Sequence, residues 1–159
     1  MEILTCLQKL YEAKKRSIQG LGCVSRSSLF YYFLKNKKFK PKTKLFYFVD
    51  KEGQMMVPRH CVVILNEEVY DANNPSSQNP TSFEKYENIV KKQYSEWDMV
   101  WEEWEKSTSG KNYSVDDPWN YLMKYGDSEL KEEIKPLLEP EYKELIQKNP
   151  WVKDLQGYD

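Results

Sequence analysis

A predicted β-hairpin near the middle of the chain constrains the fold more than any other feature of the sequence. An apolar run from Cys61 to Leu65 is followed by Asn66-Glu67 and then by a second extended run, Glu68 to Tyr70. Two residues between extended runs are typical of a tight hairpin turn. This turn pairs Leu65 with Glu68 and sets the register of both strands. Because side chains alternate along a strand, the register also decides which residues share a face.

The predicted register places His60 and Asp71 on one face of the hairpin. It pairs Val62 with Asp71, so His60 and Asp71 are diagonal neighbours with backbones about 7–8 Å apart, within reach of long side chains. His60 is the single histidine of the chain, so any reaction that needs an imidazole depends on it. Asn73 lies opposite His60 in the same register and is a second candidate to orient the ring.

Cys23 is the candidate nucleophile. It follows Gly20-Leu21-Gly22 and begins residues 23–36, which are predicted to form a helix. The unpaired N–H groups and the dipole of a helix N-terminus favour a thiolate, as does a neighbouring imidazolium. The Cys23 N–H and the side chain of Gln19, four residues upstream, are candidate donors to an oxyanion. A thiol, an imidazole and a carboxylate that orients the imidazole are the parts of a catalytic triad.

The segment from about Gly20 to Pro75, roughly a third of the chain, resembles the catalytic core of transglutaminase-like cysteine hydrolases, which belong to the wider papain-like group. The resemblance implies that Cys23 is the nucleophile, His60 the general base and acid, and Asp71 the orienting carboxylate. It also implies a helix, begun by the nucleophile, that packs on an antiparallel sheet. The residues that carry it are Gly22-Cys23 before a helix containing Leu29-Phe30, then His60-Cys61-Val62-Val63, then Val69-Tyr70-Asp71.

These residues predict a cofactor-free thiol hydrolase that acts on a protein or peptide, at a peptide bond or at a glutamine side-chain amide. No tryptophan matches the oxyanion position of true transglutaminases, so we expect a protease or deamidase rather than a cross-linking enzyme. One histidine and three scattered cysteines provide no metal-ligand spacing, and no glycine-rich phosphate loop is present. The alternative is a non-catalytic protein-binding module that uses an aromatic helical half. That alternative predicts that Cys23 and His60 are apart.

The second half of the chain is predicted to be helical. We expect an α+β class in which residues 1–80 form the catalytic core, with N-terminal helices on a small antiparallel sheet, and residues 81–159 form a helical extension of one compact domain. A capping-box pattern at Thr81-Ser82-Phe83-Glu84 begins a predicted helix that runs to about Lys106. Further helices are predicted from about residue 116, over residues 128–138 and over residues 140–148.

Three tryptophans within this predicted helix share one face. Trp97, Trp101 and Trp104 are spaced i, i+4 and i+7. We expect this stripe to pack on the sheet as part of the core. The alternative is that Trp97 or Trp101 lines a substrate groove, since tryptophan is favoured at recognition surfaces.

The composition indicates a cytoplasmic protein, in its own cell or in a host cell, without membrane attachment. No apolar run approaches the roughly 20 residues of a membrane helix, and the N-terminus lacks the features of a secretory signal. An odd number of cysteines, three, fits a reducing compartment. Six lysines lie between Lys35 and Lys44, but without a nucleic-acid motif or an aromatic platform we expect a solvated helix end rather than a nucleic-acid site.

Overall fold

The computed structural model describes residues 1–17, 22–73, 80–103 and 117–150, with the backbone alone described for residues 55–59. Within these ranges the chain forms five helices and one five-stranded antiparallel sheet, which confirms the α+β class. In chain order the elements are α1 (Ile3–Arg16), α2 (Cys23–Asn36), β1 (Lys42–Val49), β2 (Met55–Leu65), β3 (Glu68–Tyr70), β4 (Thr81–Ser82), α3 (Phe83–Gln93), β5 (Asp98–Glu103), α4 (Pro118–Tyr125) and α5 (Ser128–Lys148).

The sheet has the strand order β4-β3-β2-β1-β5, with β2 at its centre. The predicted hairpin is confirmed, because Leu65 pairs with Glu68 across a two-residue turn. Asn66 and Glu67 have φ angles of 52° and 65°, and positive φ at both central residues defines a type I′ turn. Its twist matches that of the flanking strands, so the turn fixes the register on which the faces of β2 and β3 depend.

The helix α2 lies at the centre of the molecule, packed against β2 on one side and against α1, α4 and α5 on others. Its bounds match the predicted helix. Because it is covered on most sides, even the polar residues of its first two turns are buried, from Ser25 to Ser28. Ser27 Oγ donates a hydrogen bond of 2.7 Å to the Cys61 carbonyl of β2, which ties the start of α2 to the sheet.

The helix predicted from Thr81 to about Lys106 is wrong. The helix α3 ends at Gln93, and Asp98–Glu103 forms the edge strand β5 beside β1. Met99 and Trp101, two residues apart, both pack on the aromatic cluster on the α3 side of the sheet. Period-2 packing on β1 therefore prevails over the helical spacing of the tryptophans. The second half is accordingly not all helical, since it contributes β4 and β5 to the sheet.

The segment predicted as two helices, over residues 128–138 and 140–148, is a single helix, α5, with Pro136 and Pro140 in its interior. A proline removes one helical N–H and costs about 3 kcal/mol in a helix interior. Ile134, Leu138 and Tyr142 are buried on both sides of the prolines, so packing of this stripe offsets that cost. None of the described helices, including this 21-residue one, is long and apolar enough to cross a membrane.

Candidate active site

His60 and Asp71 are in direct contact. His60 lies within β2 and Asp71 directly follows β3, so the hairpin register brings the two side chains together. The distance from His60 Nε2 to Asp71 Oδ2 is 2.9 Å. The imidazole side chain is 25% exposed and the carboxylate side chain 9% exposed. The pair is therefore largely shielded from water, with the ring still open to a reactant.

Both oxygens of the Asp71 carboxylate have hydrogen-bond donors. Oδ2 accepts the hydroxyl of Tyr86 at 3.1 Å in addition to the His60 ring. Oδ1 accepts the backbone N–H of Asn73 at 2.9 Å. Tyr86 comes from α3, which covers this face of the sheet. Burial alone would make a carboxylate expensive to ionise, and these donors offset that cost.

The charges of the pair reinforce each other. Burial raises the pKa of Asp71, but the charge and hydrogen bond of His60, with the donors from Asn73 and Tyr86, hold that pKa below its usual value. Burial lowers the pKa of His60, but the charge and hydrogen bond of Asp71, followed by those of Cys23, raise it to about 10. At neutral pH the pair is therefore an imidazolium beside a carboxylate.

Cys23 completes the arrangement as the first residue of α2. Gly22, just before it, has φ 86°, a left-handed conformation that favours glycine. Cys23 is half-buried and lies close enough to the His60 ring to help raise the pKa of that ring. Because Asp71 engages Nε2, Nδ1 is the ring nitrogen left to serve the thiol. The structure thus brings together the three residues that the sequence singled out.

Asn73 has a different set of contacts from the one expected. Its side-chain oxygen accepts Arg26 Nε, and its amide group lies 3.5 Å from the Cys23 carbonyl as a donor. Its own carbonyl accepts Lys14 Nζ at 2.8 Å. Asn73 therefore acts on the carboxylate of Asp71, through its backbone N–H, and its described contacts do not include the His60 ring.

Sequence reasoning missed two residues of this site, Arg26 and Tyr86. A charged residue three positions after Cys23, in a helix with the apolar content of α2, was an available signal for Arg26. Tyr86 lies three positions after Phe83, on the side of α3 that packs on the sheet. Its contact with Asp71 depends on how α3 packs, and no local pattern indicates it.

The other candidates lie at the edges of the site or beyond the described residues. Gln19 lies outside the described residues. Trp101 packs 4.9 Å from Phe46, ring centroid to centroid, and donates its Nε1–H to Glu87 at 2.8 Å. The Phe46 ring is in turn 5.5 Å from the His60 ring. Trp97 is partly buried in the same aromatic cluster, so both tryptophans belong to the layer between α3 and the sheet.

The arrangement contains a thiol, an imidazole and a carboxylate. These are the groups that nucleophilic cleavage of an acyl bond requires. Among the described residues, no three His, Cys, Asp or Glu side chains come together as a potential metal site. No protein-family profile, curated protein or solved structure matches this chain. The transglutaminase-like resemblance therefore stays a prediction, and a function has to be argued from the site itself.

Proposed function

We propose that this protein is a cofactor-free thiol hydrolase that cleaves amides of proteins or peptides, at a peptide bond or at a glutamine side chain. The observation that carries the proposal is the position of His60, whose ring is paired with the Asp71 carboxylate and is near enough to Cys23 for that residue to raise the pKa of the ring. A charged imidazole beside a thiol favours the thiolate, which is the nucleophilic form.

In the first half of the proposed reaction, Cys23 Sγ attacks the amide carbonyl carbon and a C–S bond forms. The Cys23 N–H belongs to the first turn of α2, where N–H groups have no partner within the helix, and it is the donor we assign to the oxyanion that develops on the carbonyl oxygen. The His60 imidazolium gives its proton to the amide nitrogen, the C–N bond breaks, and an amine or ammonia leaves. The Asp71 carboxylate remains ionised and orients the ring.

In the second half, water hydrolyses the thioester. Neutral His60 takes a proton from the water as its oxygen bonds to the thioester carbonyl carbon. The C–S bond then breaks, which releases the carboxylic acid and restores the Cys23 thiolate beside the His60 imidazolium. A peptide substrate gives two peptides, whereas a glutamine side chain gives glutamate and ammonia.

The competing proposal, a non-catalytic binding module, predicts Cys23 and His60 apart and an exposed Trp97 or Trp101. The proximity of Cys23 to His60 and the partial burial of both tryptophans favour the hydrolase. All three cysteines are free thiols, which suits action in a reducing compartment such as the cytoplasm.

The alkylation rate of each cysteine by iodoacetamide, measured against pH by peptide mass spectrometry, tests the proposed pair. A free thiol of ordinary pKa is only about 0.3% thiolate at pH 6. We expect Cys23 of the folded protein to react at pH 6 at least about tenfold faster than in the urea-unfolded chain. Cys6 and Cys61, both fully buried, serve as internal controls and should be protected.

His60→Ala is the matched variant for this measurement. We expect it to remove the fast reaction of Cys23 at pH 6 and to leave the rate at pH 9 nearly unchanged. If Cys23 reacts like the unfolded chain at pH 6, or reacts fast without His60, the mechanism is refuted. A substrate screen then separates the two activities: new peptide N-termini indicate a protease, and ammonia release from glutamine peptides indicates a deamidase.

A further inference from the structure

Arg26 is a buried cation that the proposed reaction does not use. It is 1% exposed and is the largest fully buried side chain among the described residues. Within the described part of the chain no carboxylate forms an ion pair with it. Burial of a charge is costly unless it is hydrogen-bonded, so the polar contacts of Arg26 have to account for its presence in α2.

Within the described ranges, the guanidinium of Arg26 makes two hydrogen bonds, to two different parts of the molecule. Nε donates to the side-chain oxygen of Asn73, and Nη1 donates to the hydroxyl of Tyr121 in α4 at 2.7 Å. The Tyr121 ring lies 5.4 Å from the guanidinium carbon, close enough for a cation–π contact. Arg26 therefore connects α2 to α4 and to the turn that follows β3.

Asn73 passes this connection on to the catalytic carboxylate. Its backbone N–H donates to Asp71 Oδ1 at 2.9 Å, which closes a tight turn around that side chain. Its side-chain amide donates to the carbonyl of Cys23. Arg26 lies three residues after Cys23 and so on the same side of α2. The nucleophile and the carboxylate come from separate elements, and this pair of side chains joins them.

We propose that Arg26 and Asn73 form a positioning brace, which holds the Asp71 turn on α2 so that the His60–Asp71 pair stays beside the Cys23 thiol. This inference rests on the proposed function for its catalytic consequence. Neither residue touches the reacting atoms in this scheme. Their effect is on the distance and orientation between thiol and imidazole, to which nucleophilic catalysis is sensitive.

The first measurement is the pH profile of Cys23 alkylation in Arg26→Met. We expect the rate at pH 6 to fall by about tenfold, since small displacements of reacting groups have effects of this size or larger, while the rate at pH 9 changes little. Tyr121→Phe is the matched control, because it removes the other hydrogen bond of Arg26 and leaves the link to Asn73. Its profile should equal that of the wild-type protein, even where its thermal stability falls.

The double variant Arg26→Met/Asn73→Leu separates positioning from stability. Replacement of both partners by apolar groups leaves no unpaired buried donor and can be nearly neutral for stability. We expect its melting temperature to recover relative to Arg26→Met while the slow alkylation at pH 6 persists. If the double variant recovers both the melting temperature and the wild-type alkylation profile, the two residues act through stability alone and the brace is refuted. If Arg26→Met does not fold, the double variant provides the same decision.

A proton NMR measurement distinguishes failure of the brace from failure of the proposed function. His60 is the single histidine, so a low-field ring N–H resonance from its bond to Asp71 has one source. We expect that resonance to be lost or shifted in Arg26→Met and kept in Tyr121→Phe. A dependence of this resonance on Arg26 supports the brace even if Cys23 proves unreactive. An unchanged resonance and an unchanged alkylation profile in Arg26→Met refute it.

Discussion

Replacement of Tyr86 by phenylalanine isolates one hydrogen bond to the candidate catalytic carboxylate. The Tyr86 hydroxyl donates to Asp71 Oδ2 at 3.1 Å. Burial, together with the charge and hydrogen bond of Asp71, raises the pKa of Tyr86, so its hydroxyl keeps its proton and remains a donor. Phenylalanine keeps the ring in its aromatic cluster and removes only this donor. The change in the free energy of unfolding therefore measures the contribution of the hydrogen bond from Tyr86 to Asp71.

The expected cost follows from the charge of the acceptor. A hydrogen bond to a charged group contributes about 1.5–3 kcal/mol to stability. In a chain of this length, 159 residues, each kcal/mol shifts the melting temperature by about 2–4 °C, so Tyr86→Phe should melt about 3–12 °C lower. Asp71 Oδ2 still accepts from His60 in the variant, which keeps the loss within this range.

Thermal and urea unfolding, followed by circular dichroism, measure this cost, and Tyr94→Phe is the control. Tyr94 stacks on Phe48 with ring centroids 4.4 Å apart, and no hydrogen bond of its hydroxyl is found among the described residues. We expect Tyr94→Phe to change the free energy of unfolding by less than about 0.5 kcal/mol. Equal losses in the two variants would refute the assignment of Tyr86 as a donor to a charged carboxylate.

The pH dependence of the Tyr86→Phe effect provides a second check with a definite sign. The pKa of Asp71 is lower in the folded protein than in the unfolded chain. Its contribution to stability is therefore present above the unfolded pKa of about 3.9 and is lost as pH falls through the folded value. Since Tyr86 stabilises the ionised form, the stability difference between wild type and variant should narrow over that acid range. A difference that does not narrow as pH falls through the folded pKa of Asp71 contradicts the reasoning.

Three further changes have expected outcomes that unfolding experiments check. Glu67→Gly removes the strain of a side chain at φ 65° in the type I′ turn and should stabilise the protein by about 1 kcal/mol. A fall in stability would contradict this expectation. Asp127→Ala removes the side chain that accepts Leu130 N–H at the start of α5 and should cost about 0.5–2 kcal/mol, whereas no loss would show that the cap is dispensable. His60→Asn should reduce the free energy of unfolding most below pH 6.5 and least near pH 10, because the neighbours of His60 raise its pKa to about 10 in the folded protein. A loss of stability that grows with pH would contradict this expectation.

The parts of the fold that local chemistry decides were predictable from the sequence. Turn length fixed the pairing of Leu65 with Glu68, and the period-2 rule then placed His60 and Asp71 on one face. The glycines before Cys23 marked the start of α2, and apolar positions from Leu29 onward marked it as a buried helix. In each case the interactions that decide the structure lie within a few residues of one another along the chain.

The errors fall where distant partners decide the structure. Trp97 and Trp101 satisfy a helical period, but the free edge of β1 gives Asp98–Glu103 a row of backbone partners, and Phe46 provides a ring for Trp101 to pack on. Pro140 predicts a break, but the residues on both sides of it have a common packing surface on α2 and α4. The spacing of apolar residues thus indicates which residues share a buried face, but it does not indicate which element packs against that face.

The same distinction explains why the three candidate site residues could be predicted from the sequence and the residues that support them could not. Cys23, His60 and Asp71 are each constrained by local geometry, at a helix start, in a strand and after a turn. Tyr86 reaches the site only because α3 packs on the sheet, and the hydrogen bonds of Arg26 depend on α4, which contributes Tyr121. Residues that orient a carboxylate from a second layer need the correct distance but no particular spacing along the chain. Arg26 could still have been noticed in the sequence, since a charged side chain in a buried helix needs a polar partner.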